Sequence, residues 1–404
     1  MTVFVASLGY FVDIYDLQLF NMVSKKSLIG IGITDPAMID KYDYLLFLWQ
    51  MGGMLVGGLL WGILGDKKGR KSILFGSILM YSLANIANAF VVDVNQYAAV
   101  RFFAGLGLAG ELGAAITLVS EIMDKEKRGY GTMIIVATGA LGAVFGALVA
   151  LQDFALFGLQ SWQTSYIIGG SLGILLLFLR FGTMESGLFD TAQQPGVSRG
   201  NFFHLFATRE RARRYLSCIA VGLPIWFCVG ILIKFSGKIA ITNGVTGGTV
   251  EMLTVWMLAY IGLATGDLLS GLMSQWFKSR KTVIYIYLTC TLVMSLLFLY
   301  WTSMSLQTYY GCCFLLGAVT GYWALFVQVA SEQFGTNIRA TATTTTPNFV
   351  RGAVVPMVLC YKAMEGPYGT ITSALIVGLV TFALAFWALR GLRESFAKDL
   401  DYTE

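Results

Sequence analysis

Hydrophobic residues along this chain fall into long continuous runs that are separated by short polar stretches. A helix needs about twenty apolar residues to cross about 30 Å of hydrocarbon, and twelve runs approach this length. The pattern therefore predicts an all-α membrane protein with twelve transmembrane helices. We place these helices at 3–22, 43–65, 72–92, 96–123, 129–151, 161–181, 213–241, 250–276, 281–302, 306–332, 341–363 and 368–391.

The polar connections indicate the orientation of the helices. Lys and Arg concentrate in every second connection, as in KKGRK (67–71), KEKR (125–128) and KSRK (278–281). Basic loops of membrane proteins stay on the cytoplasmic side, so both termini are predicted to be cytoplasmic. The expected location is the bacterial inner membrane, with the chain as a multi-pass integral protein.

The longest connection divides the chain into two related halves. It separates an N-terminal six-helix bundle at 1–182 from a C-terminal bundle at 213–404, with a cytoplasmic connecting segment at 183–212. The motif SEIMDKEKR in the first half and SEQFGTNIR in the second each place Glu seven residues before Arg. Two repeated bundles in parallel orientation are typical of secondary transporters, whose binding site lies between the halves.

Composition excludes a soluble protein. Hydrophobic residues make up 56% of the 404 residues and charged residues 13%, whereas about a quarter of the residues in soluble domains are charged. A β-barrel would consist of short alternating segments instead. The six cysteines lie in apolar runs without metal-ligand partners, so we predict free thiols and no metal. The sequence has no nucleotide-binding glycine loop, and we expect neither an enzyme nor a nucleic-acid partner.

Two carboxylates stand inside the first predicted helix, where a charge is costly and a functional role is the default interpretation. Asp13 and Asp16 share one helix face. A rise of about 1.5 Å per residue places Asp16 at the depth of Arg101, so that they can pair, and Asp13 near the depth of Glu111. Two acids in one apolar site cannot easily both ionise, so Asp13 with Glu111 is the predicted proton site. The alternative is that these acids are structural hydrogen-bonding groups.

The second half carries a cation near the middle of the membrane. Arg351 lies about 15 Å into its helix, and Asn348 lies one turn earlier on the same face. The planar fork of Arg suits a carboxylate, so Arg351 is the predicted substrate ligand, with Asp267 as the alternative partner. Lys234 and Lys238 are expected to snorkel to the outer surface. The predicted cavity wall further includes Trp226, Tyr322, Trp323 and Gln328.

Two longer motifs resemble one family. GILGDKKGRK (62–71) and RFFAGLGLAGE (101–111) resemble the loop and fourth-helix signatures of the major facilitator superfamily, and the resemblance covers essentially the whole chain. It implies alternating access between two bundles. Three shorter elements resemble different branches of this superfamily. DIYD (13–16) is similar to the Asp-Gly-Tyr-Asp element of aromatic-acid and other organic-acid proton symporters. Gly110 with Glu111 resembles metabolite and proton symporters, and Arg101 with Glu121 resembles sugar porters.

The loop after the second helix also has a direct physical interpretation. Asp66 can meet the positive end of a neighbouring helix, and the guanidinium of Arg70 can meet Glu121. Such contacts would latch the cytoplasmic side, and a basic loop that only sets topology is the alternative. The predicted cytoplasmic gate consists of Asp66, Arg70, Glu121, Arg128, Glu332 and Arg339.

Glycines of the fourth predicted helix are expected to serve packing. Small residues let membrane helices approach one another closely. Gly105, Gly107 and Gly110 are therefore predicted to bring the fourth helix against the first.

The predicted function is proton-coupled secondary transport of a small organic anion or polar metabolite. We expect a small-molecule partner that is anionic, a monomer surrounded by lipid, and no cofactor beyond the proton gradient. One alternative is a uniporter or antiporter of a neutral solute such as a sugar, with the acids as hydrogen-bonding ligands. The other is a membrane sensor that kept a transporter fold, because fold alone does not establish function.

Overall fold

The computed structural model describes residues 2–152, 155–156, 158–179 and 200–402, without the side chains of residues 2, 70 and 71. Helices dominate this part of the chain. They are α1 (Thr2–Gly30), α2 (Pro36–Lys68), α3 (Arg70–Asn88), α4 (Val94–Leu108), α5 (Glu111–Ile122), α6 (Arg128–Leu151), α7 (Ser161–Leu179), α8 (Arg209–Phe227), α9 (Ser236–Thr242), α10 (Met252–Trp276), α11 (Arg280–Tyr300), α12 (Leu306–Thr320), α13 (Trp323–Glu332), α14 (Arg339–Gly352) and α15 (Val354–Gly391). A 3₁₀-helix (Phe202–Phe206) precedes α8, and a π-helix (Cys228–Ile233) follows it.

Ten helical stretches of the described chain are long and apolar enough to cross a membrane. The difference from twelve arises in two places. In α3 the apolar part, Ser72–Asn88, is shorter than the others. At the C-terminal end, α14 and α15 count as one stretch of 53 residues, although Gly369 inside it has a non-helical backbone with φ 79°. The chain is a multi-pass membrane protein, and the predicted connecting segment falls outside the described residues up to position 199.

Four of the predicted helices are interrupted, and one of them, 341–363, is divided at Ala353 into α14 and α15. The predicted helix 96–123 is divided into α4 and α5, and the predicted helix 306–332 into α12 and α13. The π-helix interrupts the predicted helix 213–241. Irregular backbone at membrane depth is tolerated where protein buries it or where it lines a cavity, so these breaks indicate the region to search for a binding site.

Glycines bring α4 against α2 and α3 rather than against α1. Gly105 lies against the backbone of Gln50 in α2, and Gly107 lies against Tyr81 in α3. The predicted contact with the first helix is therefore wrong. Instead α1 packs along α6, where Gly142 touches the carbonyl of Phe11. The glycine positions predicted close packing, but spacing alone could not show which helix approaches.

The two halves meet along two pairs of helices. Helix α2 packs along α14, and α6 packs along α10. Gly58 lies against Asn348 and Gly62 against Thr341, while Gly271 receives Met133. These glycines allow the halves to approach closely enough to enclose the region between them.

The close contact of α2 with α4 leads to a test of stability. A Cβ at Gly53 would overlap the carbonyl oxygen of Phe102, whereas a Cβ at the adjacent Gly52 would meet nothing within 4 Å. We expect Gly53→Ala to destabilise the folded protein by about 1–3 kcal/mol, since overpacking displaces neighbouring backbone. Gly52→Ala is the matched control. Thermal unfolding of the purified variants in detergent measures the difference, and equal unfolding temperatures would contradict this packing.

Candidate functional site

A small cavity lies between the two halves. Its volume is about 20 Å³, which is room for about one water molecule. The cavity is therefore nearly closed in this structure. It is lined by Tyr10 and Ile14 of α1, Val136 and Ala140 of α6, Ile225 and Trp226 of α8, Val229 of the π-helix, Tyr260 and Leu263 of α10, Trp323 of α13 and Arg351 of α14.

Arg351, in the last turn of α14, places the predicted cation in this cavity. Its Nη2 donates to Tyr10 Oη at 3.3 Å, and its Nη1 donates to Asn348 Oδ1 at 3.4 Å. The guanidinium also lies 5.3 Å from the ring centre of Trp323 and 5.8 Å from that of Trp226. Among the described residues no carboxylate oxygen lies within 4.0 Å of it, and its Nε has no hydrogen-bond partner. A buried guanidinium without an anion is an incomplete site.

Asp267, the alternative partner of Arg351, has a different role in this structure. Its Oδ1 accepts a hydrogen bond from the backbone N–H of Ala324 at 2.9 Å. Ala324 lies in the first turn of α13, where helix amides lack partners within the helix. Asp267 therefore caps a helix that begins in the middle of the bundle, and Arg351 stays without a carboxylate.

The other predicted wall residues divide into two groups. Trp226 and Trp323 line the cavity with their rings 6.3 Å apart, and Trp323 Nε1 donates to Tyr10 Oη at 3.0 Å. Tyr322 and Gln328 do not line it. Tyr322 donates to the carbonyl of Val221 inside the C-terminal half, and Gln328 donates to Glu332 one turn further along α13.

Tyr10 and Tyr260 line the cavity but were missed from the sequence. An aromatic residue in an apolar helix carries no signal by itself. Tyr10 stands three residues before Asp13, and this helical spacing from a buried acid is the pattern that would have found it. No corresponding charged neighbour marks Tyr260 in the sequence.

All four predicted proton-coupling residues are fully buried in the N-terminal half. They are Asp13, Asp16, Arg101 and Glu111. Asp16 and Arg101 come from α1 and α4, and no hydrogen bond joins these two side chains. The Arg101 guanidinium instead lies 4.9 Å from the ring centre of Phe20. Glu111 is the first residue of α5, directly after the break that follows α4.

Charged groups join the two halves near the C-terminal end of α2, and we call them the inner latch because the sequence predicts this side to be cytoplasmic. The Asp66 carboxylate accepts the backbone N–H groups of Ala340 at 3.0 Å and Thr341 at 2.8 Å, so it meets the positive end of α14 as the sequence suggested. Glu121 pairs with Arg339 at 2.9 Å. It was expected to meet Arg70, whose side chain lies outside the described residues.

Glu332 forms the second part of the inner latch. It lies 3.9 Å from Arg128 of the N-terminal half and 3.6 Å from Arg280 of its own half. All three side chains are almost completely buried. Arg280 was missed from the sequence because its connection reads as an ordinary basic loop.

A second set of contacts joins the halves near the start of α2, at the opposite end from Asp66, and we call it the outer latch. Lys234 Nζ lies 2.8 Å from Asp43 Oδ2 and 3.0 Å from Asn21 Oδ1, both in the N-terminal half. The expected snorkelling of Lys234 is wrong, because its side chain is 4% exposed. Lys238, by contrast, is 45% exposed and pairs with Glu365 of its own half. The two latches therefore join the halves at both ends of α2.

Comparison with known proteins places this geometry in context. A family profile described as Major Facilitator Superfamily matches residues 6–356. The putative niacin/nicotinamide transporter NiaP of Bacillus subtilis (strain 168) is 28% identical over 360 residues, which cover 86% of this chain and 84% of that protein. The 3-(3-hydroxy-phenyl)propionate transporter of Escherichia coli (strain K12) is 27% identical over 375 residues, 87% of each chain.

Solved structures share the fold at lower identity. The structure of the proton:xylose symporter XylE bound to 6-bromo-6-deoxy-D-glucose has a TM-score of 0.77 at 15% identity, covering 99% of this chain and 97% of that chain. FucP in the outward conformation has a TM-score of 0.74 at 14% identity, covering 96% of this chain and 98% of that chain. At this level of identity the likeness concerns the fold alone.

The outer latch leads to a test with a matched control. Lys234→Met removes the ion pair between the halves, and the Met side chain still fits beside the rings of Phe20 and Phe47, which now lie 5.7 and 5.3 Å from the ammonium. We expect amide hydrogen exchange in the outer turns of α1 and α2 to rise at least several-fold. Lys238→Met should leave it unchanged, since that pair lies within one half. An equal response of both variants would contradict a latch at Lys234.

Proposed function

The chain belongs to the major facilitator superfamily, and from this premise we propose that it carries a small organic anion across the membrane by alternating access. The observation that carries the proposal is Arg351. Burying a cation without an anionic partner is costly, and this cation faces the cavity between the two halves. A carboxylate from the substrate would offset that cost, which makes the cavity selective for anions.

The names of the relatives support this substrate class. They describe carriers of niacin/nicotinamide and 3-(3-hydroxy-phenyl)propionate, and a further relative is a probable 4-methylmuconolactone transporter of Cupriavidus pinatubonensis, 24% identical over 391 residues. Niacin and the propionate are carboxylates attached to a flat ring. The indoles of Trp226 and Trp323 beside Arg351 fit such a ligand.

The proposed topology has twelve crossings. Helix α3 adds one crossing to the ten long apolar stretches, and the non-helical Gly369 divides the last stretch into two. The segments 1–182 and 213–404 then form the two bundles, with both termini in the cytoplasm and the whole chain as a monomer in the bacterial inner membrane. The basic connections support this orientation.

The proposed energy source is the proton gradient, with no further cofactor. Asp13 and Glu111 are the proton site in this proposal, and Asp16 with Arg101 is a neighbouring pair that tunes it. Binding of a proton and binding of an anionic substrate would then each remove one buried charge.

The two latches supply the gates of the proposed cycle. The inner latch must open for release into the cytoplasm, and the outer latch must open for entry. Both latches are formed here beside a cavity of about 20 Å³, which supports assigning this structure to a state between the two openings. Substrate entry would need the cavity to expand.

Arg351→Lys tests the anion assignment. Lysine keeps the charge but loses the bidentate fork, and a hydrogen bond to a charged group is worth about 1.5–3 kcal/mol. We expect binding of nicotinate, used as the probe carboxylate, to weaken about 10-fold or more while the protein stays folded. Nicotinamide has the same ring without the charge, and its binding should not change.

The same variant separates the alternatives. If Arg351→Lys unfolds the protein and Asp267→Asn restores it, Arg351 has a structural partner and a neutral solute becomes the better assignment. Preference of the wild type for nicotinamide over nicotinate would also reject the anion. Isothermal calorimetry of the purified protein measures both affinities.

Asp13→Asn tests the proton coupling. Asn cannot bind or release a proton, so accumulation driven by an imposed pH gradient in proteoliposomes should be abolished while substrate exchange continues. The same accumulation assay is carried out with Glu111→Gln and with the double variant. If the two acids share one site, the double variant should lose no more than either single variant. Unchanged accumulation in Asp13→Asn would remove this residue from the coupling role.

A further inference from the structure

The segment after α15 packs beneath the inner latch. Helix α15 ends at Gly391, and we call residues 392–402 the tail. Leu392, Ser395 and Leu400 are each less than 5% exposed. A polar chain end would be expected to lie free in water, so this burial means that the tail occupies a defined place on the cytoplasmic face.

Glu394 fixes the start of the tail. Its carboxylate accepts hydrogen bonds from Ser279 Oγ and from the backbone N–H groups of Arg280 and Lys281, at the beginning of α11. Burial alone would raise the pKa of Glu394, but these hydrogen bonds hold the pKa below its usual value. The anchor is therefore ionised at neutral pH, in a position favoured by the positive end of α11.

Beyond this anchor, the tail binds the charged groups of the inner latch. The carbonyl of Lys398 accepts from Arg128 Nη2 at 2.7 Å, and the carbonyl of Leu400 accepts from Arg339 Nη2 at 2.6 Å. Ser395 Oγ donates to Glu332 Oε2 at 2.7 Å. These are the same side chains that form ion pairs in the inner latch.

One of these bonds crosses between the halves. Arg128 begins α6 of the N-terminal half, whereas the tail is anchored on α11 of the C-terminal half. If the halves separate on the cytoplasmic side, Arg128 moves away from the carbonyl of Lys398. Opening therefore requires either that this bond breaks or that the tail leaves its place.

We propose that the tail is a strap that holds the inner latch closed and sets the rate of opening toward the cytoplasm. It adds acceptors for the arginines of the latch at the place where the halves must part. This role is separate from substrate choice, because no tail residue reaches the central cavity. The transport proposal enters only in the expectation that opening limits the turnover.

Ala397 allows the strap to be weakened without changing a contacting side chain. It has a φ of 56° and lies between Phe396, whose ring centre is 4.8 Å from the Arg280 guanidinium, and Lys398. A positive φ of this kind is rare for residues other than Gly, and a β-branched residue is a strong outlier there. Ala397→Val should therefore displace the tail, whereas Ala397→Gly should keep it in place.

The experiment measures opening of the inner latch directly. In the full-length, substrate-free protein, amide hydrogen exchange is followed at Ala340 and Thr341, whose N–H groups donate to Asp66 across the halves. We expect exchange to be at least several-fold faster in Ala397→Val than in the wild type, and no faster in Ala397→Gly. If all three proteins exchange at the same rate, the tail is only packed against the latch and the strap is rejected.

A second pair of variants keeps the test decisive if Ala397→Val does not fold. Leu400→Asp places a charge at a buried position, and Asp401→Asn changes its exposed neighbour. Faster exchange in Leu400→Asp alone supports the strap, and equal exchange in both variants rejects it. The exchange measurement needs no substrate, so an incorrect substrate assignment does not affect it. If neither the wild type nor any variant transports the substrate, that result counts against the proposed function and not against the strap.

Discussion

The central cavity of this protein contains one buried positive charge, that of Arg351. Moving an ion from water into an apolar interior costs several kcal/mol even after relaxation, and Arg351 recovers part of this through Tyr10, Asn348 and two indole rings. What it lacks within the described chain is a carboxylate. The small cavity and the close packing of the halves limit the access of water and of substrate to this charge.

A break between two helices explains why Arg351 has no carboxylate partner within the described chain. Because α13 begins at Trp323 in the middle of the bundle, its first amides need an acceptor within the protein. Asp267 provides it through Ala324. The same break brings the ring of Trp323 to the cavity. In a continuous helix these amides would bond within the helix, and Asp267 would not be needed as their acceptor. The break before α13 therefore explains why Arg351 has no carboxylate partner within the described chain.

The sequence predicted those features that depend on composition and on local spacing. Long apolar runs predicted most of the helices because the thickness of the bilayer sets their length. The contact of Asp66 with a helix end was predicted because an acid in a basic loop needs a positive partner. Arg351 was found by counting its depth along the helix.

Features that depend on the approach of distant segments could not be predicted in this way. Glu121 pairs with Arg339, which is 218 residues away in the sequence. The sequence contains several basic residues that could pair with Glu121 and does not show which of them lies near it. Lys234 was predicted near the outer end of its helix, but nothing in that helix indicates that Asp43 lies opposite it on the other half. The carbonyl groups of Lys398 and Leu400 carry no signal at all, because every residue has one.

Electrostatics gives the proposed coupling a simple physical form. An empty carrier encloses the cation of Arg351 and, when its acids are ionised, the charge of Asp13 or Glu111. A ligand shifts a conformational equilibrium only by the difference in its affinity for the two states. A carboxylate at Arg351 and a proton on the acid would each neutralise one charge, and only the doubly loaded carrier would leave neither of these two charges uncompensated. Anion and proton would then be transported together without direct contact between them. The reason is that a single uncompensated charge raises the free energy of the closed state.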